Sequence, residues 1–272
     1  MTETRLSPAP GAAPPVRRTS ALGTAGNLLR SEWTKLRSVR STVWTLLITV
    51  VIMIGAAALA ASATSGGDGN GMPTADRVLL GASFAQLAIV ALGVLTISAE
   101  YRTGMIRTTF TAAPRRAGVL AAKAAVFAGT VLVTGLVAAF GAFFIGQAIL
   151  GGKGLELSLG QPEAVRAVVG AALYLTVTGL IGLGLGTLIR HTAGAITTAV
   201  ALLFILPPLV AALPGEWGQT FSRYFLSNAG SRVMVTRVNE DLLGPWAGFG
   251  VYCLWCAVIA AAGLVLLRRR DV

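Results

Sequence analysis

Charge is scarce in this sequence. Asp, Glu, Lys and Arg together make up 12% of 272 residues, about half the share of a soluble domain. Acids are scarcer than bases, with 11 Asp and Glu against 22 Lys and Arg. There is one histidine, His191, and there are two cysteines, Cys253 and Cys256. A metal site normally asks for about four ligands, so this inventory argues against one. The C-x-x-C pair lies in an apolar run and reads as two small apolar residues on a membrane helix. Also missing are H-E-x-x-H, G-x-S-x-G and the G-x-x-x-x-G-K-[ST] phosphate loop. The "GGKG" at Gly151 has neither the spacing nor the following hydroxyl. No catalytic constellation is present, so the chain is not expected to be an enzyme, to bind a cofactor or to hydrolyse ATP by itself.

What the sequence does have is apolar length. Hydrophobic residues make up 54% of it and the mean hydropathy is +0.74. They come in blocks, and a bilayer core of ~30 Å needs about 20 of them in a helix. Six blocks qualify: Val43 to Ala63, Val78 to Ala99, Ala124 to Leu150, Ala167 to Ile189, Thr192 to Leu213 and Pro245 to Leu267. None contains Asp, Glu, Lys, Arg or His. The third can open as early as Val119, with Lys123 snorkelling toward the headgroups. The predicted fold class is therefore an all-α integral membrane protein with six transmembrane helices over residues 42–272. Arg17-Arg18 hints at a cleaved signal, but the first block is too long for one and leads out of polar sequence; it is read as a retained helix.

The charges sort by side. An even number of spans puts both termini together. Of the 22 Lys and Arg, all but Arg77, Lys153, Arg166, Arg223, Arg232 and Arg237 fall on the side of the termini. The positive-inside rule makes that face cytoplasmic. The net charge of +11 is thus a topology signal and asks for no nucleic acid. Carriers driven by protons or sodium commonly use ionisable groups at membrane depth. Here the polar groups at depth are neutral, among them Gln86, Thr96, Gln147, Thr176 and Thr178, so energy for any transport is expected to come from outside the chain.

Outside the spans, residues 1–25 are rich in Pro, Ala, Ser and Thr without periodicity and read as a disordered cytoplasmic tail. Residues 26–41, "GNLLRSEWTKLRSVRS", place Leu28, Leu29, Trp33, Leu36 and Val39 on one arc, with Arg30, Lys35 and Arg37 opposite. That is the pattern of a helix lying in the headgroup layer, although Glu32 and Arg40 intrude on the apolar arc. Pro207-Pro208 removes two helical donors and should kink the fifth span. Pro214 to Gly244 is too apolar for a free loop and is expected to hold short helices at the outer leaflet. Thr178, Gly182 and Gly186, four apart in the fourth span, would let another helix approach closely.

One charged stretch stands between two apolar runs: "SAEYRTGMIRTTFTAAPRRAGVLAAK", Ser98 to Lys123. After Ala99, "EYRTGMIRTTF" reads as one short helix with Tyr101 and Met105, and Ile106 and Phe110, at four-residue spacing. Pro114 ends it. A basic inner loop placed by charge alone would need neither a Glu nor an aromatic there. The chain resembles the membrane subunit of type-2 ATP-binding-cassette (ABC) exporters over roughly Asn27 to Val272. The residues that carry the likeness are "SEWTKLRSVRSTVWTLL", "EYRTG" followed by "PRRAGVLAAK", "YFLSNAG" and "RRRDV", in that order. Many relatives have threonine after the glycine, where this chain has Met105.

That resemblance implies six helices per subunit in a bacterial cytoplasmic membrane, paired as a homo- or heterodimer. It also implies separate ATPase subunits, holding ATP and Mg, docked on the cytoplasmic face. The amphipathic stretch with Leu29, Trp33, Leu36 and Arg37 would be a connecting helix. Glu100, Tyr101, Arg102, Thr103, Gly104, Met105 and Arg107 would form a coupling helix seated on the ATPase, and Pro214 to Gly244 would be outer re-entrant helices. Reversing the charges of Glu100 and Arg102 is expected to uncouple transport and leave the fold intact. The alternative is a non-transporting membrane anchor or signalling partner with a basic inner face. It predicts no dedicated ATPase contact.

Overall fold

A computed structural model describes residues 21–64, 74–104, 116–153, 160–236 and 242–269. Every regular element among them is helical. The order is α1 (Ala21–Ser38), α2 (Arg40–Ala63), α3 (Thr74–Val78), α4 (Gly81–Arg102), α5 (Arg116–Gly151), α6 (Pro162–Ile189) and α7 (Thr192–Val200). Then come a π-helical turn (Ala201–Ile205), α8 (Leu206–Ala211), α9 (Gly215–Tyr224), α10 (Leu226–Ser231), a 3₁₀ turn (Arg232–Met234) and α11 (Pro245–Arg269). Six helical segments are long and apolar enough to cross a membrane: Arg40–Ala63, Asp76–Arg102, Ala117–Gly151, Pro162–Ile189, Thr192–Ala211 and Pro245–Leu267. Six spans are as the apolar blocks predict, with α3 and a turn at Leu79-Leu80 leading into the second.

The fourth span is the centre of the bundle. Its most apolar stretch is 83% buried, against 17% for the sixth, and it packs against α4, α5 and α11. Small residues make that possible. A Cβ on Gly182 would collide with the Val90 carbonyl oxygen, and one on Gly186 would sit 3.1 Å from the Val94 oxygen. From the other side, Gly93 of α4 meets the Gly179 backbone. Gly182 and Gly186, with Gly179, therefore form the seam of a close backbone crossing with α4, whereas Thr178 faces Tyr252 of α11.

Pro207 and Pro208 do interrupt the fifth span, and the disruption spreads toward the N-terminus. Their missing N–H groups would have served the carbonyls of Leu203 and Phe204. The chain answers with a π turn in which the Leu206 N–H reaches back to the Ala201 oxygen.

The amphipathic helix departs from its expected bounds. It starts at Ala21, inside the stretch expected to be a tail, and ends at Ser38; Arg40 already belongs to α2. Leu28, Glu32, Lys35 and Leu36 face the bundle, whereas Leu29, Trp33 and Val39 are exposed. Two short helices, α9 and α10, follow Pro214. Trp255 of α11 donates its indole N–H to the Tyr224 oxygen at 3.1 Å, fastening the end of α9.

Candidate functional site: a buried ion ring joining three helices

Four charges close into a ring at the end of the bundle where α4 stops and α5 begins. Lys35 Nζ lies 2.7 Å from Glu32 Oε1 and 3.1 Å from Glu100 Oε1. Lys123 Nζ lies 2.9 Å from Glu100 Oε1 and donates its shortest bond to Glu32 Oε2. Each charge thus has two opposite neighbours. Glu32 and Lys123 are each 4% exposed and Glu100 7%, while Lys35 keeps part of its side chain in solvent. Burial works to raise the pKa of Glu32, but the Lys123 charge and the bonds from Lys123 and Lys35 outweigh it and hold the carboxyl below its usual range. Lys35 is the mirror case. Burial works to lower its pKa, and the bond to Glu32 with the attraction of Glu100 raises it above the usual lysine value.

Two sequence expectations change here. Lys123 does not snorkel to the headgroups; it is buried against two carboxylates, because α1 and α4 bring it partners closer than water. Glu32, which spoiled the apolar arc of α1, is the residue that anchors that helix. A buried pair of this kind contributes little net stability compared with apolar packing, but losing one partner leaves an uncompensated charge. Its structural effect is register. A slide of α1 by one turn, ~5.4 Å, would separate every pair in the ring.

The last turn of α4 points three successive side chains in three directions. Glu100 enters the ring. Tyr101, half-buried, has the Arg190 guanidinium over its ring at 5.2 Å. Arg102 is exposed, as are Thr103 and Gly104. Arg190 itself sits at the C-cap of α6 with φ of 57°, a left-handed conformation unusual for a side-chain-bearing residue, and its N–H bonds to the Gly186 oxygen. The end of α4 is therefore tied to α1 and α5 through Glu100, and to the turn after α6 through Tyr101.

Glu100 to Phe110 is not one separate helix. Glu100, Tyr101 and Arg102 complete α4, Thr103 caps it, and Gly104 turns away with φ of +69°. Met105 and Arg107 lie outside the described residues. The inward-facing Glu100 also corrects the expectation that its reversal would spare the fold, since a cation there would face Lys35 and Lys123. Arg102 and Arg37 are exposed, Trp33 is exposed and Leu36 half-buried. Pro207 is buried and Pro208 exposed in the fifth span.

A second polar cluster, neutral throughout, knits the middle of the bundle to α10. Tyr174 of α6 and Tyr252 of α11 stack with centroids 5.2 Å apart. Tyr174 donates to Gln86 Oε1 on α4 and lies 3.3 Å from Ser227 Oγ on α10. Thr178 donates to its own helix at the Tyr174 oxygen, so Tyr252 supplies the proton in the 2.7 Å contact with Thr178 Oγ1. Gln86 and Thr178 are thus parts of a packed network rather than free lining of a path. On that side Asp76 accepts from the Thr236 N–H and hydroxyl at 2.7 and 2.8 Å. Lys153 donates to the Ala61, Ser62 and Thr64 oxygens, capping α2.

The ring was half visible in the sequence, as an acid on the apolar side of α1 and a lysine at the edge of a span. Two anomalies of opposite sign are a signal that they pair. No group of three or more His, Cys, Asp or Glu that could hold a metal occurs among the described residues, and Cys253 and Cys256 are free thiols one helical turn apart. In comparisons with known proteins, no family model and no curated sequence matches this chain. Its class is that of a helical protein with six membrane-spanning segments.

Proposed function

We propose that the chain is the permease subunit of an ATP-driven exporter, resembling the type-2 ABC class, which pairs with a second copy or paralogue and works with a separate ATPase. The observation that supports this reading best is the ion ring. It fastens α1 to the two helices that flank residues 105–115, so a push on that segment would move α1, α4 and α5 as one body. ATP-driven closure of a soluble subunit acts on membrane helices only through such a rigid contact. Arg102, Thr103 and Gly104, exposed at the end of α4, with Met105 and Arg107 beyond, are the proposed contact. Glu100 and Tyr101 position it from behind. ATP and Mg²⁺ would stay on the partner, and α1 would lie in the headgroup layer with both termini in the cytoplasm.

The test is co-purification of the tagged chain from mild detergent, with mass spectrometry and an ATPase assay of the recovered partner. A soluble ATPase at near-equal stoichiometry, lost on Arg102→Glu with Arg107→Glu while the chain remains monodisperse, is the expected result. Failure to recover any ATPase under several gentle conditions would remove the reading and leave a membrane anchor with a basic inner face.

A further inference from the structure

Between α1 and α5 runs an open, largely apolar groove. Leu29, Arg30 and Trp33 form one wall, and Ala125, Gly129 and Val133 part of the other. Its apolar character is real, because the hydroxyls of Thr130 and Thr134 on the same wall are bonded back to the Val126 and Thr130 oxygens. Gly129 opens it: a Cβ there would meet nothing within 4 Å. From Ala125 to Val133 the groove follows eight residues of helix, about 12 Å at ~1.5 Å per residue, enough for the headgroup-proximal part of one acyl chain.

The charge at its mouth has one sign. Glu32 is consumed inside the ion ring, and Arg30 makes no ion pair among the described residues. Arg37, seven residues on and so on the same face of α1, is exposed. A cation over an apolar slot beside an exposed tryptophan complements a phosphate ester joined to an acyl chain.

The geometry points to this groove as a binding site for one anionic phospholipid, its chain between α1 and α5 along Gly129 and its headgroup on Arg30. The site does not depend on what the protein transports. It would hold α1 against the membrane on the side opposite the pull of the ion ring.

The test uses the full-length chain in vesicles of phosphatidylcholine doped with either dibrominated phosphatidylglycerol or dibrominated phosphatidylcholine. Bromine quenches nearby tryptophan, and the Trp33 component is the difference between the native chain and Trp33→Phe. Quenching of Trp33 is expected at about five-fold lower mole fraction of the anionic lipid, the preference one surface cation supplies. Arg30→Gln should abolish that preference. Gly129→Leu, whose Cβ would meet nothing within 4 Å, projects its side chain into the groove and should reduce quenching by both lipids. Equal quenching by the two lipids, or a preference that survives both variants, overturns the proposal. So does an efficient disulfide between two Gly129→Cys chains in the membrane, which would make a second copy the occupant.

Discussion

Removing the ammonium of Lys123 is the sharpest perturbation of the ion ring. Lys123→Met keeps an unbranched stem of similar length and takes away the charge that both Glu32 and Glu100 face. Breaking a buried pair by removing one partner costs about 3–5 kcal/mol. Lys35 stays within reach of both carboxylates and is partly solvated, which places the cost near the lower end, about 3 kcal/mol. That corresponds to roughly a 150-fold rise in the opening equilibrium of α1. An 18-residue helix is marginal once detached, so amide exchange across residues 26–38 in lipid nanodiscs reads the opening directly. The buried core of α6 should keep its protection. Adding Glu32→Gln should recover part of the loss, because one carboxylate then pairs with one lysine, and the double variant should cost less than the two single changes summed. Salt at 1 M should not mimic Lys123→Met, as buried pairs are poorly screened. Unchanged exchange in α1, or strictly additive effects, would refute the ring as the fastening.

The same ring sets a pH response. Glu32 has a depressed folded pKa, so its contribution is present above about 4.3 and is lost as pH falls through the folded value; Lys35 has a raised one, so its contribution is present below about 10.4 and is lost as pH rises through the folded value. Protection of α1 should then be flat from about pH 5 to 10, and a transition between pH 6 and 8 would contradict the assignment. Gly182→Ala should lower the thermal midpoint of the detergent-solubilised chain by an amount corresponding to about 1–3 kcal/mol, since its Cβ meets the Val90 carbonyl, whereas Gly129→Ala should leave it unchanged or raise it. Tyr252→Phe deletes one donor from the buried network and should cost about 1 kcal/mol, seen as faster proteolysis of the segment around α10; equal stability would mean that Thr178 needs no second partner.

What was legible in the sequence was local. Six apolar runs of membrane length, a change in helical hydrogen bonding at Pro207-Pro208 and a helix before the first span follow from burial and backbone chemistry within about 20 neighbouring residues. The same local reading placed Glu100, Tyr101 and Arg102 at the head of a separate helix. Nothing in a window of that size shows that α4 keeps its hydrogen bonds until Gly104 turns left-handed. It also left Glu32 as an intrusion on the apolar arc of α1, when its partner Lys123 lies on another helix 91 residues away.

Composition and periodicity by themselves determined that the chain crosses a membrane six times, because transfer of apolar length into lipid depends on each segment alone. Only the tertiary structure decided which charges meet. Glu32 and Lys123 stand 91 residues apart and Lys35 and Glu100 stand 65 apart. Their pairing has no local signature, since an ion pair is a property of two surfaces brought together. The close crossing of α4 and α6, and the inward turn of Glu100 that leaves Arg102 facing out, follow from that same packing.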